Sequence, residues 1–144
     1  MPHYTYDTST VISRGVISLP DSFLLSAVVL LELMASAKDA SQQKVYEKLY
    51  RDYRSDNSLI IPVAEDWLLA SKVLYWLGQG RRRSAGGRLL RLKPGASQRM
   101  ALDALLATSA RRWKATVITE NWDDFKAVQR YCDVRIIRGS DFFK

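Results

Sequence analysis

Two carboxylates sit deep inside apolar helical runs. Glu32 lies in Ala27-Val28-Val29-Leu30-Leu31-Glu32-Leu33-Met34, and Asp103 in Met100-Ala101-Leu102-Asp103-Ala104-Leu105-Leu106-Ala107. A charged group taken out of water is expensive unless another group pairs with it, so any fold that buries these runs must bring something to both acids. Two more acids stand at the ends of strand-like stretches. Asp7 closes His3-Tyr4-Thr5-Tyr6 and precedes Thr8-Ser9-Thr10, whose hydroxyls suit a helix N-cap. Asp124 follows Ala115-Thr116-Val117-Ile118-Thr119, within the helix-start signal Asn121-Trp122-Asp123-Asp124. Alone, each has a simpler alternative, Asp7 as a mere N-cap and Asp124 as a helix-start charge. Taken with Glu32 and Asp103, they read as a divalent-metal site assembled at the turns of βα units.

Strand-like and helix-like segments alternate along the chain, which predicts a three-layer α/β fold with a central, largely parallel sheet. Expected strands are the stretch ending at Asp7, Phe23-Leu24-Leu25, Leu59 to Val63, Ala115 to Thr119 and Val134 to Ile137. Expected helices run from Ser9 to Arg14, stopped by Gly15; from the cap Ser26 to about Ala37; over Lys38 to Tyr53; from Trp67 to Leu77, ending at Gly78; over Arg99 to Trp113; and over Asp123 to Arg130. Between Gln79 and Gln98, four glycines and Pro94 punctuate arginines. That stretch predicts a mobile loop, with room for a helical turn at Arg88 to Leu92. In such sheets sites form beyond the carboxyl ends of the strands, where Asp7 and Asp124 would stand.

The 144 residues suit one domain with a single substantial core. One cysteine, Cys132, excludes an internal disulfide and a multi-cysteine zinc site; with no signal-peptide pattern, it predicts a cytoplasmic protein. The longest apolar stretch, Phe23 to Ala37, is too short and too charged to span a bilayer. The net charge of +7 is concentrated in Arg81, Arg82, Arg83, Arg88, Arg91 and Lys93, with Arg111, Arg112 and Lys114 beyond. A charge run is ordinarily a solvated loop. Beside an acidic metal site it makes a coherent pair, with the metal for chemistry and the cations for a phosphate backbone.

At these positions the chain resembles PIN domains, most closely the VapC-type toxins of toxin–antitoxin pairs. The resemblance rests on Tyr6-Asp7-Thr8-Ser9, Ser26 to Leu33, Asp103 to Ala110 and Val117 to Phe125, in order, and covers about His3 to Ile137. It implies a metal-dependent endoribonuclease that uses Mg²⁺ or Mn²⁺ and no protein nucleophile. Asp7, Glu32, Asp103 and Asp124 would form the acidic centre, Asn121 a polar ligand, and Ser9 and Thr119 supports that hydrogen-bond the carboxylates. It further implies products with a 5′-phosphate and a 3′-hydroxyl, a structured RNA substrate, a homodimer, and a small antitoxin whose tail fills the acidic groove. Carboxylates suit this role because hard dications prefer oxygen ligands and offset the repulsion among clustered acids.

The chain departs from the family pattern in two places. Gln79 to Gln98 is longer and richer in arginine, and Arg99 stands one helical turn before Asp103, close enough to pair with it and, if turned inward, to replace a metal's charge. The alternative reading is therefore a catalytically inactive PIN-like module that binds RNA or protein. A third, an enzyme of phosphorylated metabolites, lacks a glycine-rich turn after a strand. Nucleophilic hydrolysis lacks a Gly-x-Ser-x-Gly elbow, and His3, the only histidine, leaves no usual zinc set. Glu65 and Asp66 read as helix-dipole partners, and Cys132 as a small buried hydrophobe. Trp67, Trp76, Trp113 and Trp122 read as core or dimer interface.

Overall fold

A computed structural model describes residues 2–15, 19–84, 86 and 95–144. The sheet is parallel throughout. Strand β1 (His3–Tyr6) pairs with β4 (Ala115–Thr119), placing His3 opposite Ala115 and Tyr6 opposite Ile118. On its other edge β4 pairs with β5 (Ile136–Arg138), placing Val117 opposite Ile136. A second parallel pair joins β2 (Leu25–Ser26) to β3 (Leu59–Ile60). A bridge between Tyr4 and Phe23 ties it to β1, with Leu24 N donating to Tyr4 O at 2.8 Å. From β1 the chain thus builds outward to β2 and β3 on one side, then crosses to β4 and β5 on the other. The strand order reverses between β1 and β4, which is where open α/β sheets form a crevice at their carboxyl ends.

All five residues of β4 are buried, as expected of a central parallel strand covered on both faces. Helices cover the sheet in the three-layer, PIN-like arrangement. Helix α1 (Thr8–Arg14) starts at the N-cap Asp7 and stops at Gly15, whose φ of 77° is a conformation glycine adopts without steric cost. Helix α2 (Ala27–Ala35) starts where the Ser26 side chain accepts from Val28 N. Helix α3 (Ala40–Ser55) is capped by Asp39, which accepts from Gln42 N at 2.8 Å. Helix α5 (Ala96–Arg112) carries an unbroken buried run, Ala104 to Ala110. Its alanines and Ser109 let neighbours approach closely, while Leu105 and Leu106 each contribute roughly 1.5–3 kcal/mol by burial.

The structure differs from expectation most at α4. This helix spans Ala64–Ser84, continuing through Gly78 and Gly80 where a stop at Gly78 was expected. Each glycine costs a helix about 1 kcal/mol, and packing against α5 outweighs it. Leu77 is buried, and a β-carbon at Gly80 would lie 3.7 Å from the Tyr131 hydroxyl. The expected loop from Gln79 to Gln98 is therefore helical at both ends, and its expected turn at Arg88 to Leu92 lies outside the described residues. Helix α6 (Trp122–Gln129) matches within a residue, while α7 (Gly139–Phe142) was not anticipated. Trp67 and Trp76 are exposed by 58% and 37%, so neither belongs to the core of this chain. No described helix is long and apolar enough to cross a membrane.

Candidate functional site

Asp7 stands directly beyond β1 and is 2% exposed. Four donors hold its carboxylate. Ser9 Oγ lies 2.9 Å from both oxygens, Thr10 N and Thr10 Oγ1 reach Oδ1 at 3.0 and 2.7 Å, and Thr119 Oγ1 reaches Oδ2 at 2.6 Å. Thr119 ends β4 and accepts in turn from Asn121 N at 2.8 Å. A hydrogen-bonded chain therefore runs from the α6 N-terminus through Thr119 to Asp7, fastening the tips of the two central strands together. Asp7 is thus the N-cap of α1 and the point where donors from α1 and β4 converge.

Glu32, half-buried on α2, accepts from Thr8 Oγ1 at 2.7 Å. Thr8 and Asp7 are neighbours in the chain, so this bond brings the Glu32 carboxylate to the Asp7 side of the crevice. Asp103 is on α5, one residue before its buried run. Burial raises its pKa to about 8; the carboxylates of Asp7, Asp124 and Glu32 add to the rise, and Arg99 opposes it. The four acids thus share one electrostatic field despite their separation in sequence. Asp124 is exposed on α6, Asn121 is its exposed N-cap residue, and Asp123 is exposed beside them.

Arg99 is exposed, and the ion pairs among the described residues do not include one between Arg99 and Asp103. The Arg99–Asp103 pairing that the sequence left open is not formed, and Arg99 acts on Asp103 only by opposing the rise in its pKa. Among the described residues no group of three or more His, Cys, Asp or Glu side chains is arranged to hold a metal ion. The carboxylates share a field without sharing a ligand shell. The donor set nevertheless suits a hard dication, because it consists of carboxylate oxygens whose mutual repulsion a cation would offset. Mg²⁺ keeps several waters and needs only one or two carboxylates directly, so a shell of three is not required.

Among the basic residues, Arg81 lies beside Asp124 in a groove also lined by Met100, Arg130 and Tyr131, and it donates to Met100 Sδ at 2.9 Å. Arg82 is exposed, Arg83 lies in the last turn of α4, and Arg88 and Arg91 fall outside the described residues. Sequence reasoning missed three contributors: Thr8, Thr10 and Arg130. The hydroxyl run Thr8-Ser9-Thr10 was the available signal for the threonines, since it offers more hydroxyls than a cap needs. Three other singled-out residues have ordinary places in the fold. Asp66 is buried and accepts from Val63 N at 3.0 Å and Arg112 Nε at 2.9 Å. Cys132 is buried, which pushes its thiol up to about 11. His3 is an exposed strand residue.

No protein-family model matches the chain, and no curated protein does. Solved structures do. A chain of DNA-bound VapBC from Salmonella typhimurium is 15% identical with a TM-score of 0.55, covering 96% of this chain and 99% of that one. VapBC2 from Rickettsia felis, bound to a DNA fragment from its promoter, is 18% identical at 0.56, covering 94% and 97%. FitAB bound to IR36 DNA is 15% identical at 0.56, covering 94% of each chain. At such identities the likeness establishes architecture, and the chain has the PIN-like fold found in VapBC and FitAB complexes.

Proposed function

We propose that this protein is a metal-dependent endoribonuclease and the toxin of a type II toxin–antitoxin pair. One observation carries the reading. Asp7, at the tip of β1, is held by Thr119 from the tip of β4, with Glu32 held beside it by Thr8. Asp103 and Asp124 lie within the same field. Among Asp7, Glu32, Asp103, Asp124 and Asn121, one or two carboxylates would hold Mg²⁺ or Mn²⁺ directly and the others through bound water. When bound there, such an ion supplies Lewis-acid stabilisation of a phosphodiester and a water of lowered pKa.

The chain's own residues then have definable tasks. Ser9, Thr10 and Thr119 fix the Asp7 oxygens so that they need not reorganise when charge develops nearby. Thr8 does the same for Glu32. Arg81 and Arg130, beside Asp124, offer cations to the flanking phosphates, with Arg82, Arg83, Arg88 and Arg91 extending the basic stretch. The VapBC and FitAB likenesses support a small antitoxin partner. An apolar groove lined by Val11, Ile12, Leu33, Val45 and Tyr46 offers it a surface. Trp67, Leu68 and Tyr75, each more than half exposed on α4, support a homodimer contact.

Incubating total RNA with the protein and Mg²⁺ or Mn²⁺ tests the reading, with chelator, Asp7→Asn and Asp103→Asn as further arms. Cleavage is expected only in the first arm. Cleavage persisting in all of them places the chemistry elsewhere, and RNA affinity without cleavage, unchanged by chelator, selects the inactive binding module.

A further inference from the structure

At the opposite end of β4, basic side chains from separate parts of the chain converge. Arg111 and Arg112 end α5, Lys114 follows in a left-handed turn (φ 56°), and Arg135 precedes β5. Together with Asp133 and Val134 they line an open cleft of about 570 Å³. The dipole of α5 accounts for cations in its last turn. It does not account for Arg135, which another segment brings to the same cleft. Arg112 is already committed, its Nε on Asp66 and its Nη2 on Ile61 O at 2.8 Å. Arg111, Lys114 and Arg135 are exposed, and none takes part in an ion pair among the described residues. Among the described residues Asp133 is the only acid lining the cleft, which leaves it strongly positive. Lys114 and Thr119 are separated by the length of β4, roughly 16 Å at about 3.3 Å per residue.

We propose that this cleft is a second RNA contact, gripping the phosphate backbone of a structured RNA that also reaches the carboxylate centre. The proposal rests on the ribonuclease reading for its choice of nucleic acid. Convergent, unpaired cations in an open cleft suit a phosphate backbone, with affinity drawn from released counterions and little dependence on base sequence. A folded RNA can touch both ends of the sheet, and a trinucleotide cannot.

The test compares the wild type with the triple variant Arg111→Gln, Lys114→Gln, Arg135→Gln, leaving Arg112 in place because it holds the fold. Binding of a transfer-RNA-sized structured RNA is measured by anisotropy in chelator across a salt series. The triple variant is expected to bind about tenfold or more weakly, with a salt slope smaller by about two to three. Its cleavage of a trinucleotide should stay within twofold of wild type, and its thermal unfolding should be unchanged. The charge-preserving triple Arg111→Lys, Lys114→Arg, Arg135→Lys should keep wild-type RNA affinity. Unchanged affinity and salt slope in the Gln variant overturn the proposal, as does an equal loss on the trinucleotide or a loss confined to duplex DNA. If the wild type cleaves nothing yet the Gln variant loses structured-RNA binding, this contact stands and the ribonuclease reading falls.

Discussion

Asp66 and Asp103 are acids on neighbouring helices, both withdrawn from water, and their surroundings are opposite. Asp66 sits at the amino end of α4 with Arg112 at 2.9 Å and a backbone donor at 3.0 Å, so its charge is answered inside the fold. The Asp103 pKa is raised to about 8 first by burial and then by the charges of Asp7, Asp124 and Glu32, with the exposed Arg99 opposing them. A buried acid that the protein neutralises is part of the scaffold. One that the protein surrounds with like charge is unstable in its ionised form until something from outside arrives, and that is a mark of a functional site.

The sharpest way to break this contrast is Asp7→Asn, which keeps a competent N-cap and the side chain's shape while removing charge. RNA cleavage should fall about a thousandfold, the upper end for losing a preorganised electrostatic group. A variant that still cleaves well would make Asp7 a cap only. Next, Arg112→Ala should lower unfolding free energy by about 3 kcal/mol, because it strands a buried carboxylate. Urea denaturation reads this directly, and a loss below about 0.5 kcal/mol would put Asp66 outside the scaffold.

Third, Asp103 carries a pH signature. Its pKa is higher folded than unfolded, so between about pH 4 and pH 8 the folded state holds the extra proton. Its contribution to stability is therefore full at the acid side and lost as pH rises toward 8. In metal-free protein this amounts to about 2 kcal/mol between pH 5 and pH 7 once solvent screening is allowed for. Asp103→Asn should flatten that dependence, and Mg²⁺ or Mn²⁺ should raise the wild-type Tm most at the alkaline side. An Asn variant with the wild-type pH profile would remove Asp103 from the comparison. The smallest expected effect is that of Thr119→Val, which deletes the hydroxyl between Asn121 N and Asp7 at nearly constant volume. It should cost about 1 kcal/mol of stability and about tenfold in cleavage.

Much of this is legible in the sequence. Asp7, Ser26 and Gly15 announce helix boundaries by local chemistry, and the structure uses each of them as such. Ser9 and Thr119 were expected to touch carboxylates, and both donate to Asp7. The full length of α4 was not legible, because two glycines speak against a helix locally while α5 holds that helix in place from outside. Nor was the division of the basic residues. Arg81 and Arg111 belong to one positive composition, yet Arg81 lies beside Asp124 while Arg111 lines a cleft at the far end of the sheet.

The amino-acid order by itself determined the alternation of strands and helices, the helix caps, and the presence of carboxylates in runs too apolar to expose. Those follow from short-range rules of spacing, backbone conformation and solvation. Only the tertiary structure decided which acids meet one another and which meets an arginine, because that depends on parallel strands far apart in the chain. The pairing of β1 with β4 sets Thr119 against Asp7 across 112 positions, and no local pattern encodes a contact of that reach.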